Sequence, residues 1–240
     1  MGQRAERETR ACGRIMKTGD DSKTEAPKRT VVLAGSTGLV GRSILEELLA
    51  DRSVEMVHSL GRRKLSVVHP RLTCHIVDFA TLPPLPHVDE VYLALGTTIR
   101  DAGSQAAFRA VDFDANFAVA RAALTAGARR CGLVSSVGAN ARSKVFYSRV
   151  KGELEEALGH LTFASLVIAR PSLLVGDRAA LGQPIRSLEK ASLSLSKVLR
   201  PLLPNNYRPI YAAQVARALL SRTPVAEGRI ILHSDDMRRR

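Results

Sequence analysis

Apolar and polar positions along the chain follow two alternating periods. Thr30–Ala34 is an unbroken apolar, β-branched run, and Leu39–Ala50 follows it with Leu45, Leu48 and Leu49 on one helical face. Val54–Leu60, Leu72–Val77 and Val91–Leu95 have the length and composition of strands. Gln105–Ala126 is rich in Ala, with Phe108, Val111, Ala115 and Val119 recurring at helical spacing. Arg130–Ser135 predicts a fifth strand, Tyr147–Leu158 a helix and Phe163–Arg170 a sixth strand. Strands alternating with helices predict an α/β fold, a doubly wound and mostly parallel sheet with helices on both faces.

Two segments depart from that pattern. Met1–Lys28 is polar, mixed in charge and without apolar periodicity, which reads as a flexible basic tail ahead of one domain over residues 29–240. Met16 is an alternative start. Pro171–Pro209 holds Pro171, Pro184, Pro201, Pro204 and Pro209 around one helical stretch, Ile185–Leu199, and reads as a small C-terminal substrate lobe. Ile185, Leu188, Leu195 and Leu199 recur there with Arg186, Lys190 and Lys197 between them. That helix either packs over the site or offers a basic amphipathic surface to a membrane or partner.

Composition narrows the class. In 240 residues, 45% are hydrophobic and 25% charged, which excludes wholesale disorder and a small disulfide scaffold. The longest uncharged apolar runs are strand-sized, so no transmembrane segment is expected. Cys12, Cys74 and Cys131 show no C-x-x-C spacing, so neither a disulfide framework nor a metal site is expected. Such sparse cysteine usage predicts a reducing, cytoplasmic location. The net charge is +13, of which residues 1–29 contribute +3 from eight Lys/Arg and five Asp/Glu. Charge of this size attracts nucleic acid or phosphorylated ligands. With no helix-turn-helix or RNP-like pattern, no Trp and only 4% aromatic residues, nucleic acid is not the expected partner. A small-molecule substrate and a monomeric or homodimeric state are.

The first strand runs into Gly35-Ser36-Thr37-Gly38-Leu39-Val40-Gly41 and then into a helix. Strand, glycine turn and helix N-terminus in that order form a pyrophosphate site, because glycine admits close backbone approach and the free N–H groups and helix dipole hold an anion. The second strand ends in Leu60-Gly61-Arg62-Arg63-Lys64, where NAD sites place a carboxylate for the ribose 2′-hydroxyl. Arg62 and Arg63 suit a 2′-phosphate instead, since guanidinium groups bind phosphate bidentately, so NADP(H) is the expected cofactor. Leu95-Gly96-Thr97 ends the fourth strand, where its glycine lets backbone lie beside the middle of the cofactor.

Ser135-Ser136 ends the fifth strand, and Tyr147 and Lys151 sit four residues apart on the next helix, on one face. Both elements meet the C-terminal edge of the sheet, where such folds bind ligands. A free tyrosine titrates near pH 10, and a neighbouring lysine cation favours its phenolate. Tyr147 then serves as general acid and base, Ser136 bonds the substrate oxygen, and Lys151 also holds the nicotinamide ribose.

The G-x-x-G-x-x-G spacing resembles the extended and atypical short-chain dehydrogenases/reductases. Leu95-Gly96-Thr97-Thr98, Val111-Asp112-Phe113-Asp114-Ala115-Asn116, Val134-Ser135-Ser136-Val137-Gly138-Ala139-Asn140 and Tyr147-Ser148-Arg149-Val150-Lys151-Gly152-Glu153-Leu154 are similar to atypical members, in particular the Tat-interactive-protein-like oxidoreductases. The resemblance implies a serine–tyrosine–lysine triad at Ser136, Tyr147 and Lys151, with Asn116 as a fourth residue. It also implies that Asp78-Phe79 hold the adenine ring and that the loop Arg170-Pro171-Ser172 meets the nicotinamide. It covers Thr30 to Leu232. The lobe is short beside that of sugar-nucleotide epimerases, which disfavours a large nucleotide-sugar. An NADP(H)-dependent oxidoreductase is the leading expectation. A non-catalytic NADP(H)-binding regulator and an epimerase or dehydratase are the alternatives.

Overall fold

The computed structural model describes residues 28–175 and 208–238. The tail, the helix expected over Ile185–Leu199 and most of the proline-rich segment lie outside the described residues. Strands β1 (Arg29–Ala34), β2 (Val54–Gly61), β3 (Leu72–Ile76), β4 (Glu90–Leu93), β5 (Arg130–Val134), β6 (Ser165–Arg170) and β9 (Gly228–His233) form one sheet in the order β3-β2-β1-β4-β5-β6-β9. Every neighbouring pair is parallel. The direction of winding reverses between β1 and β4, which opens a crevice at their C-terminal ends.

The central strands are buried on both faces, which explains why Val31–Ala34 reads as a continuous apolar run rather than an alternating one. Helix α1 (Leu39–Ala50) buries Val40, Ile44, Leu45 and Leu48 at helical spacing and turns Arg42 and Glu46 to solvent, where they pair at 3.0 Å. Together with α6 (Ala212–Arg222), through Val215 and Leu219, it covers the face carrying Val31 and Leu33. On the opposite face, α4 (Asn116–Thr125) and α5 (Phe146–Gly159) cover Val32, Ala34, Val91 and Leu93 with Val119, Ala123, Leu154 and Leu158. Two layers of helix around one sheet are the expected α/β architecture.

Local details differ from the sequence reading. The long helix expected over 105–126 is continuous, but it carries an internal π-helical turn (Ala110–Ala115) between α3 (Gln105–Arg109) and α4. The short α2 (Ile99–Ala102) precedes them, capped by Thr98 Oγ1 on the Asp101 N–H at 3.0 Å. The seventh strand β9, helix α6 and the short α7 (Ser234–Arg238) were not foreseen. In β9 the apolar run is only Ile230-Ile231-Leu232, too short to stand out in the sequence. Strand β7 (Leu174–Val175) pairs with β8 (Ile210–Tyr211), so the chain leaves and re-enters the described body side by side.

Candidate functional site

The β1–α1 turn is shaped by steric exclusion. Gly35 has φ +93°, and a Cβ on it would lie 2.4 Å from the Ala94 carbonyl oxygen at the end of β4. A Cβ on Gly41 would meet the Gly35 carbonyl oxygen at 2.0 Å, so helix and turn touch backbone to backbone. Gly38 caps α1 with no side chain on the free N–H groups and no acidic residue in the first turn, which leaves the positive helix end open to an anion. The side chains within the turn have structural partners. Ser36 Oγ lies 2.6 Å from Ser59 Oγ on β2 in a buried hydrogen bond, and Leu39 and Val40 pack into the core.

A cleft of about 170 Å³ lies along Gly35–Gly38, with Thr37, Gly61, Arg62, Arg63, Leu95, Gly96 and Thr97 also on its walls. Through Arg62, Phe79, Leu95 and Val111 it adjoins a hollow of about 460 Å³. Arg62 and Arg63 are exposed and have no hydrogen-bond or ion-pair partner among the described residues. The Asp78 carboxylate, on the wall of the hollow, accepts from the Ala80 N–H at 3.0 Å and caps its own turn. Phe79 is half-buried against the core and forms the floor beside it.

Beyond β5, the two serines have different surroundings. Ser135 Oγ donates to the buried Glu155 at 2.5 Å, and Glu155 also receives Arg170 Nε at 3.0 Å and lies 3.6 Å from Arg229. Ser136 Oγ is buried and has no hydrogen-bond partner among the described residues. Tyr147 is half-buried, with its ring tilted against Phe108 at 5.4 Å between centroids. One turn later Lys151 is buried, and its Nζ lies 2.7 Å from Asp112 Oδ1 in the π-helical turn. Asp112 Oδ2 accepts the Thr97 N–H at 2.8 Å. Burial pulls the Lys151 ammonium down, but the Asp112 charge and then Tyr147 outweigh it, so its pKa is raised above the ordinary 10.5.

Asn116, expected as a fourth active-site residue, donates its amide to the carbonyls of Leu95, Val111 and Asp112 at 3.1, 3.3 and 3.2 Å. It satisfies carbonyls freed by the π-helical turn and ties that turn to the end of β4. Arg170, Pro171 and Ser172, expected to meet the nicotinamide, also have partners within the fold. The Arg170 guanidinium is engaged by Glu155, and Pro171 is buried with its carbonyl accepting the Val137 N–H at 2.8 Å. Ser172 gives its N–H to Ser234 Oγ at 2.8 Å and its hydroxyl to the Arg208 carbonyl. These side chains knit β6 to neighbouring elements, because the buried Glu155 carboxylate requires a cation and the loop's polar groups require partners.

Sequence reasoning missed Asp112 and Glu155 as site-forming acids. Asp112 falls on the buried stripe of Phe108, Ala115 and Val119, and Glu155 follows Lys151 and Leu154 on the buried face of α5. An acid on an apolar stripe was the available signal, since a buried carboxylate needs a cation.

The parallel order, the glycine turn and the helix carrying Tyr147 and Lys151 define a protein of the atypical short-chain dehydrogenase/reductase class. No protein-family model matches the chain. It is 35% identical over 195 residues to "Protein FMP52-1, mitochondrial" of Scheffersomyces stipitis, covering 76% of this chain and 83% of that one. It is 34% identical over 166 residues to "Protein FMP52, mitochondrial" of Lodderomyces elongisporus, covering 62% and 68%. With the namesake of Candida glabrata it shares 38% over 157 residues, 63% of this chain and 66% of the relative. The chain belongs to the FMP52 family. Among solved structures, a UDP-N-acetylglucosamine 4-epimerase from Methanobrevibacter ruminantium superposes with a TM-score of 0.64 at 17% identity, over 87% of this chain and 77% of that one. A short chain dehydrogenase family protein from Francisella tularensis gives 0.62 at 13% identity, over 88% and 99%. At such identities the likeness is one of fold.

The relatives correct the expected cytoplasmic location, because each is named a mitochondrial protein. Sparse cysteine usage bears on redox conditions and does not by itself name a compartment. Among the described residues no helix is long and apolar enough to cross a membrane.

Proposed function

We propose that this protein is an NADP(H)-dependent oxidoreductase that moves hydride between the cofactor and a small carbonyl or alcohol substrate. The observation that carries the reading is Lys151, a buried cation one helical turn from Tyr147, with Gly96 and Thr97 of the dinucleotide cleft against the Lys151–Asp112 pair. The cradle fits a dinucleotide, since Gly35 and Gly41 let the turn close backbone to backbone on the end of β4 and on the helix start, and α1 presents N–H groups with no side-chain cap. Arg62 and Arg63, unpaired at the cleft with no acid closing β2, suit a 2′-phosphate, and the hollow beside Phe79 and Val111 suits an adenine ring.

Bound nicotinamide supplies the hydride in reduction and takes it in oxidation. Tyr147 gives its phenolic proton to the carbonyl oxygen as that oxygen becomes an alcohol, and recovers a proton from the alcohol in the reverse direction. Ser136 donates its free hydroxyl to the same oxygen. Lys151 holds the ribose and favours the phenolate form of Tyr147 between proton transfers. The mitochondrial naming of the relatives supports a mitochondrial location, which subcellular fractionation tests.

The test is a titration of the purified protein with NADPH and NADH beside an Arg62→Ala/Arg63→Ala variant. NADPH preference that collapses in the variant supports the cofactor assignment. A carbonyl screen with Tyr147→Phe as control then tests the chemistry, with turnover lost and cofactor affinity kept as the expected result. Binding of neither dinucleotide would overturn the dehydrogenase reading.

A further inference from the structure

The acid that Lys151 meets comes from a helical turn of its own kind. Asp112 lies in the π-helical segment Ala110–Ala115, is fully buried, and bridges Lys151 Nζ at 2.7 Å and the Thr97 N–H at 2.8 Å. The π turn is held open from below by Asn116, whose amide takes the Leu95, Val111 and Asp112 carbonyls. It is held from the side by Arg109, which reaches Glu153 on α5 and lies over the Phe113 ring at 4.4 Å. One carboxylate therefore joins the Gly96–Thr97 wall of the dinucleotide cleft to the helix that carries Tyr147. π-Helical turns inside α-helices occur frequently at functional sites.

We propose that Asp112 is a positioning residue of the reaction: it holds the Lys151 ammonium charged and in place between the cofactor ribose and Tyr147. The proposal deepens the NADP(H)-oxidoreductase reading and rests on it. The groups around Lys151 define the electrostatics. Asp112 faces it from the π turn, and Tyr147 and Glu155 face it from its own helix. Glu155 is already engaged by Arg170 and Arg229, while the β4 side brings only the uncharged Gly96 and Thr97. Asp112 is thus the sole carboxylate among the described residues in direct contact with the ammonium. Without it, a buried lysine loses its proton readily.

The experiment compares wild type, Asp112→Asn and Lys151→Met. Protein labelled with carbon-13 at lysine Cε is titrated by NMR towards alkaline pH, and the Lys151 signal is the one missing from Lys151→Met. NADPH affinity is measured over the same range. In Asp112→Asn the Lys151 signal is expected to titrate about one unit or more below the ordinary lysine value. NADPH affinity relative to wild type is expected to fall about tenfold across that transition. A Lys151 titration unchanged from wild type, or a relative affinity that does not vary with pH, overturns the proposal. Failure of wild type to bind either dinucleotide instead overturns the oxidoreductase reading, and the NMR arm still reports whether Asp112 holds the charge. If Asp112→Asn does not fold, Asp112→Asn/Lys151→Met is read in its place. Folding restored by removing both charges supports the pairing, and continued failure to fold overturns it.

Discussion

Gly152 on α5 lies so close to the Asn140–Ala141 peptide that a Cβ there would sit 2.1 Å from the Ala141 nitrogen. Glycine at this position lets the loop between β5 and α5 lie directly on the helix carrying Tyr147 and Lys151. That close approach fixes where the helix begins relative to Ser136. Gly152→Ala forces loop and helix apart. We expect a loss of about 1–3 kcal/mol in stability, as for other overpacking changes. Turnover should fall by more than the folded fraction alone accounts for, as read from urea unfolding beside steady-state kinetics. A variant with wild-type turnover would show that the loop's position is unimportant to the chemistry.

The three glycines of the first turn should not be equivalent. Gly35 combines positive φ with a 2.4 Å approach to Ala94, whereas a Cβ on Gly38 meets the Gly35 carbonyl at 3.3 Å, a contact that a small shift relieves. Gly35→Ala is expected to abolish dinucleotide binding and to cost about 1–3 kcal/mol of stability. Gly38→Ala should fold normally and bind more weakly than wild type. Fluorescence titration with NADPH and thermal melting separate the two, and equal behaviour would contradict this steric account.

The adjacent serines should divide their effects. Ser135→Ala removes a buried hydrogen bond to a carboxylate, which costs about 1.5–3 kcal/mol for bonds to charged groups. Ser136→Ala removes a hydroxyl with no partner among the described residues, so stability should stay near wild type while turnover drops. Denaturant midpoints and kcat of the two variants check the division. A stable, fully active Ser136→Ala protein would remove that residue from the mechanism.

Acid should weaken the fold at one edge of the sheet. His58 Nδ1 and His75 Nε2 lie 3.0 Å apart on β2 and β3, and burial, then the charge of His75, lowers the His58 pKa from its ordinary 6.5. A depressed histidine means that the unfolded chain binds more protons. The stability it contributes is therefore present above pH 6.5 and lost as pH falls from 6.5 through the lower folded-state value. His58→Gln should flatten that part of the profile, measured as urea midpoints across mildly acidic pH. An unchanged slope would place the acid sensitivity elsewhere.

How far the sequence reaches can be judged from particular elements. Helix α1 begins at Leu39 and ends at Ala50, the bounds read from the periodicity of Leu45, Leu48 and Leu49 and the glycine before them. β1 and β2 were legible because buried parallel strands are unbroken apolar runs. The π-helical turn was not legible, since Ala110–Ala115 has the composition of any buried helix and the deviation depends on where the Asn116 amide finds its carbonyls. The partners of Arg170 and Ser172 are not legible in the sequence for a related reason. Their positions match the loop after the sixth strand, but Glu155 and Ser234, distant in sequence, engage their polar groups.

The sequence alone determined the alternation of strand and helix from β1 to β6, the glycine turn at Gly35–Gly41, the Arg62–Arg63 pair closing β2 and the four-residue spacing of Tyr147 and Lys151. Each follows from local backbone sterics or from the periodicity of a single element. Tertiary structure alone decided that Asp112 faces Lys151, that Glu155 gathers Ser135, Arg170 and Arg229, and that the Ser136 hydroxyl is buried with no partner among the described residues. Those outcomes depend on which buried charges and polar atoms packing brings together, because a carboxylate removed from water must find its cation wherever the fold supplies one.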